Sequence, residues 1–127
     1  MSKDIKLGDN KVTISLKVAD LVNLGMMVGD VENNANVLGQ ILGGINSGDI
    51  LALLYVLKQL SPKGVTDKAI DEMVENAPVD DVNKAYDEVA DFFEKSPLTS
   101  KQAKTINKAM KEQMKKALEN AVEVEKK

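Results

Sequence analysis

The sequence predicts a mainly α fold: a helical domain of about five to six helices with a small N-terminal β-hairpin and a long C-terminal helix. Three observations carry the prediction. Apolar residues alternate with period two only over residues 4–17. Beyond Lys17 they recur at helical spacing, and from Thr99 the chain runs to Lys127 without Gly or Pro. At 127 residues, with no internal repeat and no Ser/Gly-rich linker, one domain is expected, divided into the hairpin (4–17), a helical core (18–96) and a basic amphipathic helix (99–127).

In the hairpin, Ile5 and Leu7, then Val12, Ile14 and Leu16, alternate with polar residues, and Gly8, Asp9 and Asn10 stand between the runs as turn formers. An isolated two-stranded hairpin is marginal in water, so Val12, Ile14 and Leu16 must lie on helices of this chain or on another chain. The outer edge presents unpaired backbone groups that a further strand would satisfy. Val12, Ile14 and Leu16 mark the candidate self-association edge of an expected homo-oligomer; the alternative is that lysines on the hairpin keep that edge monomeric.

Helical spacing begins with Val18, Leu21 and Val22 and resumes with Val37, Leu38, Ile41, Leu42 and Ile45, with a break expected around residues 29–34. Gly43 and Gly44 read as the end of the second helix, and Ser47 or Asp49 as the cap of the third. Ile50 to Leu57 carries no charge, the pattern of a buried central helix. The polar residues 46–49 interrupt any reading of 37–60 as a membrane span. Thr66 caps a short helix bearing Ala69, Ile70, Met73 and Val74, and Pro78 stops it. Val82, Ala85, Tyr86, Val89 and Phe93 form a clean amphipathic helix that Ser96-Pro97 terminates. Thr99 with Gln102 reads as a capping box for the last helix.

Composition excludes several chemistries. There is no Cys, His, Trp or Arg, and all 17 basic residues are Lys. No disulfide framework, thiolate nucleophile, imidazole acid–base or zinc site of nitrogen and sulfur ligands can be built, and no cofactor is expected. A net charge of −3 without Arg, and only four aromatic rings, argues against nucleic acid as a partner. The polar first ten residues lack the apolar run of a secretory leader, and no membrane partner is expected.

The motif-like segments fail on their chemistry. Asp30, Glu32, Asn34 and Asn36 alternate like a calcium loop, but Ala35 stands where Gly is required and Ile41 where Glu is required. Gly39 and Gly44 have phosphate-loop spacing, but Ile45 and Asn46 replace its Lys and Ser/Thr. Asp80 with Asp81, and Asp87 with Glu88, are neighbours on a polar helix face rather than carboxylates opposed across a cleft. No catalytic or metal-binding residue is assigned.

Charge is segregated along the chain. Residues 66–94 hold ten acids against two lysines, and 99–127 hold eight lysines against four acids. Attraction between these parts is expected, within one chain or from one copy to the next. In the last helix Ala103, Ile106, Met110, Met114, Ala117, Ala121 and Val124 step by 3, 4, 4, 3, 4 and 3, one continuous stripe bordered by lysines. Either this stripe packs on the chain's own core, or its distal part extends past the body and docks partner helices, since Met-rich surfaces repack readily. The candidate partner-binding residues are Ile106, Met110, Met114, Ala117, Ala121 and Val124. For 116–127, partner binding or a loose chain end outweighs core packing.

The order of segments KDIKLGDNKVTISLKVADLVNLG, NSGDILALLYVLKQL, GVTDKAIDEMVE and DFFEKSPLTSKQAKTINKAMKE, leading into a lysine-rich tail, resembles the tail assembly chaperones of long-tailed bacteriophages of Gram-positive hosts. The likeness spans most of the chain and is most telling over residues 93–104. The resemblance implies a mainly helical, non-enzymatic protein that coats the phage tape-measure protein in the cytoplasm of the infected or lysogenic host. It would recruit major tail (tube) protein subunits and be absent from the mature virion. The family has no binding motif to transfer residue by residue. The alternative is a small helical regulatory or DNA-associated protein of a phage or Gram-positive genome, with residues 101–116 as its only basic helix.

Overall fold

The structure, a computed structural model, describes residues 1–125, with side chains through 119. Among the described residues it is mainly helical, as the spacing predicts: strands β1 (Ser2–Leu7) and β2 (Asn10–Ser15) precede helices α1 (Val18–Asn23), α2 (Val31–Ser47), α3 (Ile50–Leu60), α4 (Asp67–Glu75), α5 (Val79–Lys95) and α6 (Ser100–Glu125). No helix of the described residues is long and apolar enough to cross a membrane.

The hairpin turn is tighter than the Gly-Asp-Asn triplet predicts. Leu7 pairs with Asn10, leaving Gly8 and Asp9 as the loop, with Gly8 at φ +66° where a side chain would be strained. The Gly8 N–H donates to the Asp81 carboxylate over 2.8 Å, fastening the turn to the first turn of α5. β1 packs on α5 and β2 on α3. Ile5, Leu7, Val12, Ile14 and Leu16 are all buried within the chain's own core. Val12, Ile14 and Leu16 thus lie on this chain's own helices, so self-association along the candidate edge would go through the backbone of the two-stranded sheet and not through these side chains.

The break between α1 and α2 lies earlier than the Asn-rich sequence predicts, over residues 24–30, and Asn33, Asn34 and Asn36 are helical. Tertiary hydrogen bonds override their turn preference. Asp30 caps α2 by accepting from the Asn33 N–H over 3.1 Å. Asn33 Nδ2 reaches back to the Gly25 carbonyl over 2.9 Å, and the Asn34 amide pairs with both backbone groups of Met27, at 2.7 Å each. The connection is thus pinned to the helix that follows it.

Gly43 and Gly44 do not end α2, which continues to Ser47 and stops at Gly48, φ +78°. The role of Gly44 is close approach. A Cβ on Gly44 would lie 2.5 Å from the Ala52 Cβ of α3, so α2 and α3 can touch here only because position 44 has no side chain. Asp49 caps α3 through the Leu51 N–H over 3.0 Å, and Thr66 caps α4 through the Ala69 N–H over 3.1 Å.

The α3 helix is central but not sheathed. Leu53, Val56, Leu57 and Leu60 are buried, whereas Leu51 is 71% exposed and Ile50 and Tyr55 also reach the surface. α5 matches its predicted pattern, with Ala85, Val89 and Phe93 buried, and adds Phe92, whose ring meets that of Phe93 edge-on with centroids 5.9 Å apart. Thr99 does not form the predicted capping box. Its buried hydroxyl turns back and donates to the Phe93 carbonyl over 2.7 Å, closing the end of α5 rather than the start of α6.

Candidate interaction surface

α6 divides into two halves with different surroundings. Ala103 and Asn107 are buried against α5 and α2, Ile106 packs on the core, and the Met110 methyl lies over Gly43. From Lys111 onward every residue through 119 is exposed. A 26-residue helix is about 39 Å long, and the part beyond Met110 accounts for roughly 22 Å of it. The predicted stripe is therefore two surfaces. Ile106 and Met110 serve the chain's own seam and are corrected as partner-binding residues. Met114, 47% exposed, and Ala117 remain free, joined by Leu118 at 67%. Ala121 and Val124 lie outside the residues whose side chains are described.

The lysines of α6 form an ordered row. Lys101, Lys104, Lys108, Lys111 and Lys115 step by 3, 4, 3 and 4, which keeps them on one helix face, and all are exposed. The expected attraction to the acidic helices is not realised by contact within the chain: among the described residues, no ion pair joins α6 to α4 or α5. Lys58 instead pairs with Asp71 over 2.8 Å, tying α3 to α4, and Lys95 with Asp91 over 2.8 Å within α5. Hydrogen bonding to these carboxylates raises both lysine pKa values above 10.5. The α5 and α6 helices meet through uncharged groups, with Asn107 Nδ2 donating to the Ala90 carbonyl over 3.3 Å.

A second surface escapes sequence reasoning. At the base of α6 an apolar cleft of about 230 Å³ is lined by Leu21 and Met26, with Val18, Val22, Met27 and Leu98 at its exposed rim. Val28 also lines it and is fully exposed. Through Gln102 this cleft adjoins another of about 380 Å³, bordered by Ala35, Thr105, Ile106 and Lys101. The available signal was Met26-Met27-Val28 between Gly25 and Gly29, three large apolar residues in a loop with no period to bury them. Exposed aliphatic side chains clustered in this way mark an interaction site more often than isolated ones do.

Asp81 is taken by the Gly8 N–H, and among the described residues no group of carboxylates is placed to hold a metal ion. Asp30, Asn34 and the glycines at 39 and 44 belong to α2 and its cap. Tyr86 donates to the Gly48 carbonyl over 3.1 Å, and burial, aided by the Asp49 charge, raises its pKa above 10.0. Compared with protein-family models, curated proteins and solved structures, the chain has no match.

Proposed function

We propose that the protein is a tail assembly chaperone of a long-tailed bacteriophage of Gram-positive hosts. In this reading it binds the tape-measure protein in the host cytoplasm, keeps that long chain from aggregating, recruits tail-tube subunits, and leaves before the virion is complete. One observation carries it beyond the sequence resemblance: the fold leaves aliphatic side chains exposed around the cleft formed by Val18, Val22, Met27, Val28 and Leu98. An escort of other polypeptides needs apolar contact area together with charge that keeps the complex dispersed. The cleft supplies the first and the lysine face of α6 the second.

Co-expression with a cognate tape-measure protein tests the reading. The wild-type chain should keep that protein in the supernatant, and M27K/V28K, which alters only exposed positions, should lose most of the effect. Equal rescue by the variant would remove the cleft from the proposal, and no rescue by the wild type would remove the function. The DNA-associated reading draws on the lysine row, and of Gln102, Asn107 and Gln113, the residues of that helix able to read a base, Asn107 is buried and Gln113 is exposed. Salt-sensitive retardation of long DNA at physiological ionic strength would favour it instead.

A further inference from the structure

We infer that the two adjoining clefts at the base of α6 take one amphipathic helix of a client, whose aliphatic row fills the Leu21/Met26 cleft and whose flanking carboxylate pairs with Lys101. This rests on the reading of the first cleft as a polypeptide-binding site and adds the chemistry that the site accepts. The first cleft, of about 230 Å³, is walled by aliphatic side chains with Asn34 and Gln102 as its polar groups, and Gln102 also borders the second, of about 380 Å³. Among the described residues Lys101 is the single charged side chain that lines either cleft. It is exposed and makes no ion pair among those residues, and half-buried Gln102 makes no side-chain hydrogen bond. Both are therefore free to orient an incoming segment, as the few polar groups of an apolar site do.

Charge selects an acidic occupant. The Lys101 ammonium attracts a carboxylate and repels a second cation, and the backbone beneath it has the same sign. α6 has no acidic residue in its first turn, and the Thr99 hydroxyl donates to the Phe93 carbonyl instead of capping the helix. The Ser100 and Ala103 amides are held by the Ser96 and Thr99 carbonyls, whereas those of Lys101 and Gln102 have no acceptor among the described residues. The positive end of the helix therefore adds to the lysine. The acids nearby do not cancel it: Asp20 accepts from the Lys17 N–H over 2.7 Å, Asp30 from the Asn33 N–H over 3.1 Å, and Glu32 lines neither cleft. Backbone satisfaction selects a helix. The walls belong to α1, α2, α6 and the connecting loops, with no sheet edge among them, so an extended segment would bury N–H and C=O groups without partners. A helix satisfies its own backbone and presents an apolar row at i, i+3, i+4 and i+7.

Fluorescence anisotropy of the full chain with three labelled peptides tests it. Each peptide is an alanine-based helix of about five turns with leucines at i, i+3, i+4 and i+7. Glu, Gln or Lys flanks that row at both ends, so either direction of docking brings one flank to Lys101. At about 0.1 M salt the Glu peptide should bind about three- to tenfold more tightly than the Lys peptide, with the Gln peptide between them. At about 1 M, where the screening length falls from roughly 10 Å to roughly 3 Å, the gap should close. K101E should invert the order, and it puts an acid in the first turn of a helix, where the dipole favours it and the fold is kept. K108E makes the same charge change at an exposed lysine that lines neither cleft and should leave the order as in the wild type. Equal affinities for the three peptides, an order unchanged in K101E, inversion by K108E as well, or no binding by the wild type would each overturn the inference. Rescue of the tape-measure protein without a peptide preference would remove the carboxylate pairing alone. A peptide preference without rescue would remove the tape-measure reading and keep the helix site.

Discussion

The side-chain amide of Asn46 on α2 donates to the side-chain carbonyl of Asn107 on α6 over 2.7 Å, and Asn107 passes the connection to the Ala90 carbonyl of α5 over 3.3 Å. Asn46 is anchored in turn by the Leu42 carbonyl, 2.8 Å away. Asn107 is buried, so this chain of amides is the polar joint of an otherwise aliphatic three-helix contact, one turn before α6 leaves the body. Removing one partner leaves buried groups unsatisfied, which costs more than the bond itself contributes. N107A should therefore lower stability by about 1–3 kcal/mol in urea unfolding. A double-mutant cycle with N46A should give a coupling of at least about 0.5 kcal/mol, and strict additivity would show that the contact is not energetically shared.

Two glycines of α2 should respond oppositely to the same substitution. G44A drives a methyl against Ala52 and must part α2 from α3, a loss of about 1–3 kcal/mol. At Gly39 a Cβ meets nothing within 4 Å, and the position is inside a helix, so G39A should gain roughly 0.5–1 kcal/mol. Thermal melts of the pair decide whether close helix approach, rather than helix termination, explains Gly44.

Tyr86 fixes an alkaline prediction. Its folded-state pKa is raised by burial, so its contribution to stability is full below the ordinary value of 10.0 and is lost as pH rises through the higher folded value. Lys58, raised above 10.5 by its hydrogen bond to Asp71, has the same sign. Y86F should thus flatten the alkaline limb of stability without abolishing it. At neutral pH it should cost about 0.5–1.5 kcal/mol for the lost bond to the Gly48 carbonyl. In a Y55F background the phenolate absorbance reports Tyr86 alone, and a midpoint at or below 10.0 would contradict the burial argument.

What the sequence made legible was whatever its own period encodes. α5 could be placed because Val82, Ala85, Tyr86, Val89 and Phe93 share one face between two prolines, and the hairpin because Ile5, Leu7, Val12, Ile14 and Leu16 alternate. What it could not encode in a period depended on contacts made across a loop, with partners seven or eight residues away. Asn33 and Asn34 read as breakers because their bonds to Gly25 and Met27 are tertiary, and Gly44 read as a helix end because Ala52 is invisible to a local pattern. The α3 run read as fully buried because hydropathy does not say which neighbours are missing around Leu51. The candidate site suffered most. Its stripe is continuous in sequence, and nothing in a continuous stripe marks where the body beneath it ends.

That boundary, just past Met110, can be located by measurement. Ile106 packs on the core, so an aspartate there would carry a charge into aliphatic surroundings and should cost well over about 2 kcal/mol. M114D/L118D places two such charges on the same stripe, only two to three turns further on, where both side chains are exposed. Surface substitutions away from packed features usually stay within about 0.5 kcal/mol each, so the double variant should melt close to the wild type when dilute. Exposed helix interiors depend on backbone propensity and not on packing, so P or G at 114 would fray the free half while leaving the melt of the body nearly unchanged. If M114D/L118D instead unfolds like I106D at low concentration, the free half of α6 is covered by the chain itself. The division of the stripe would then be wrong.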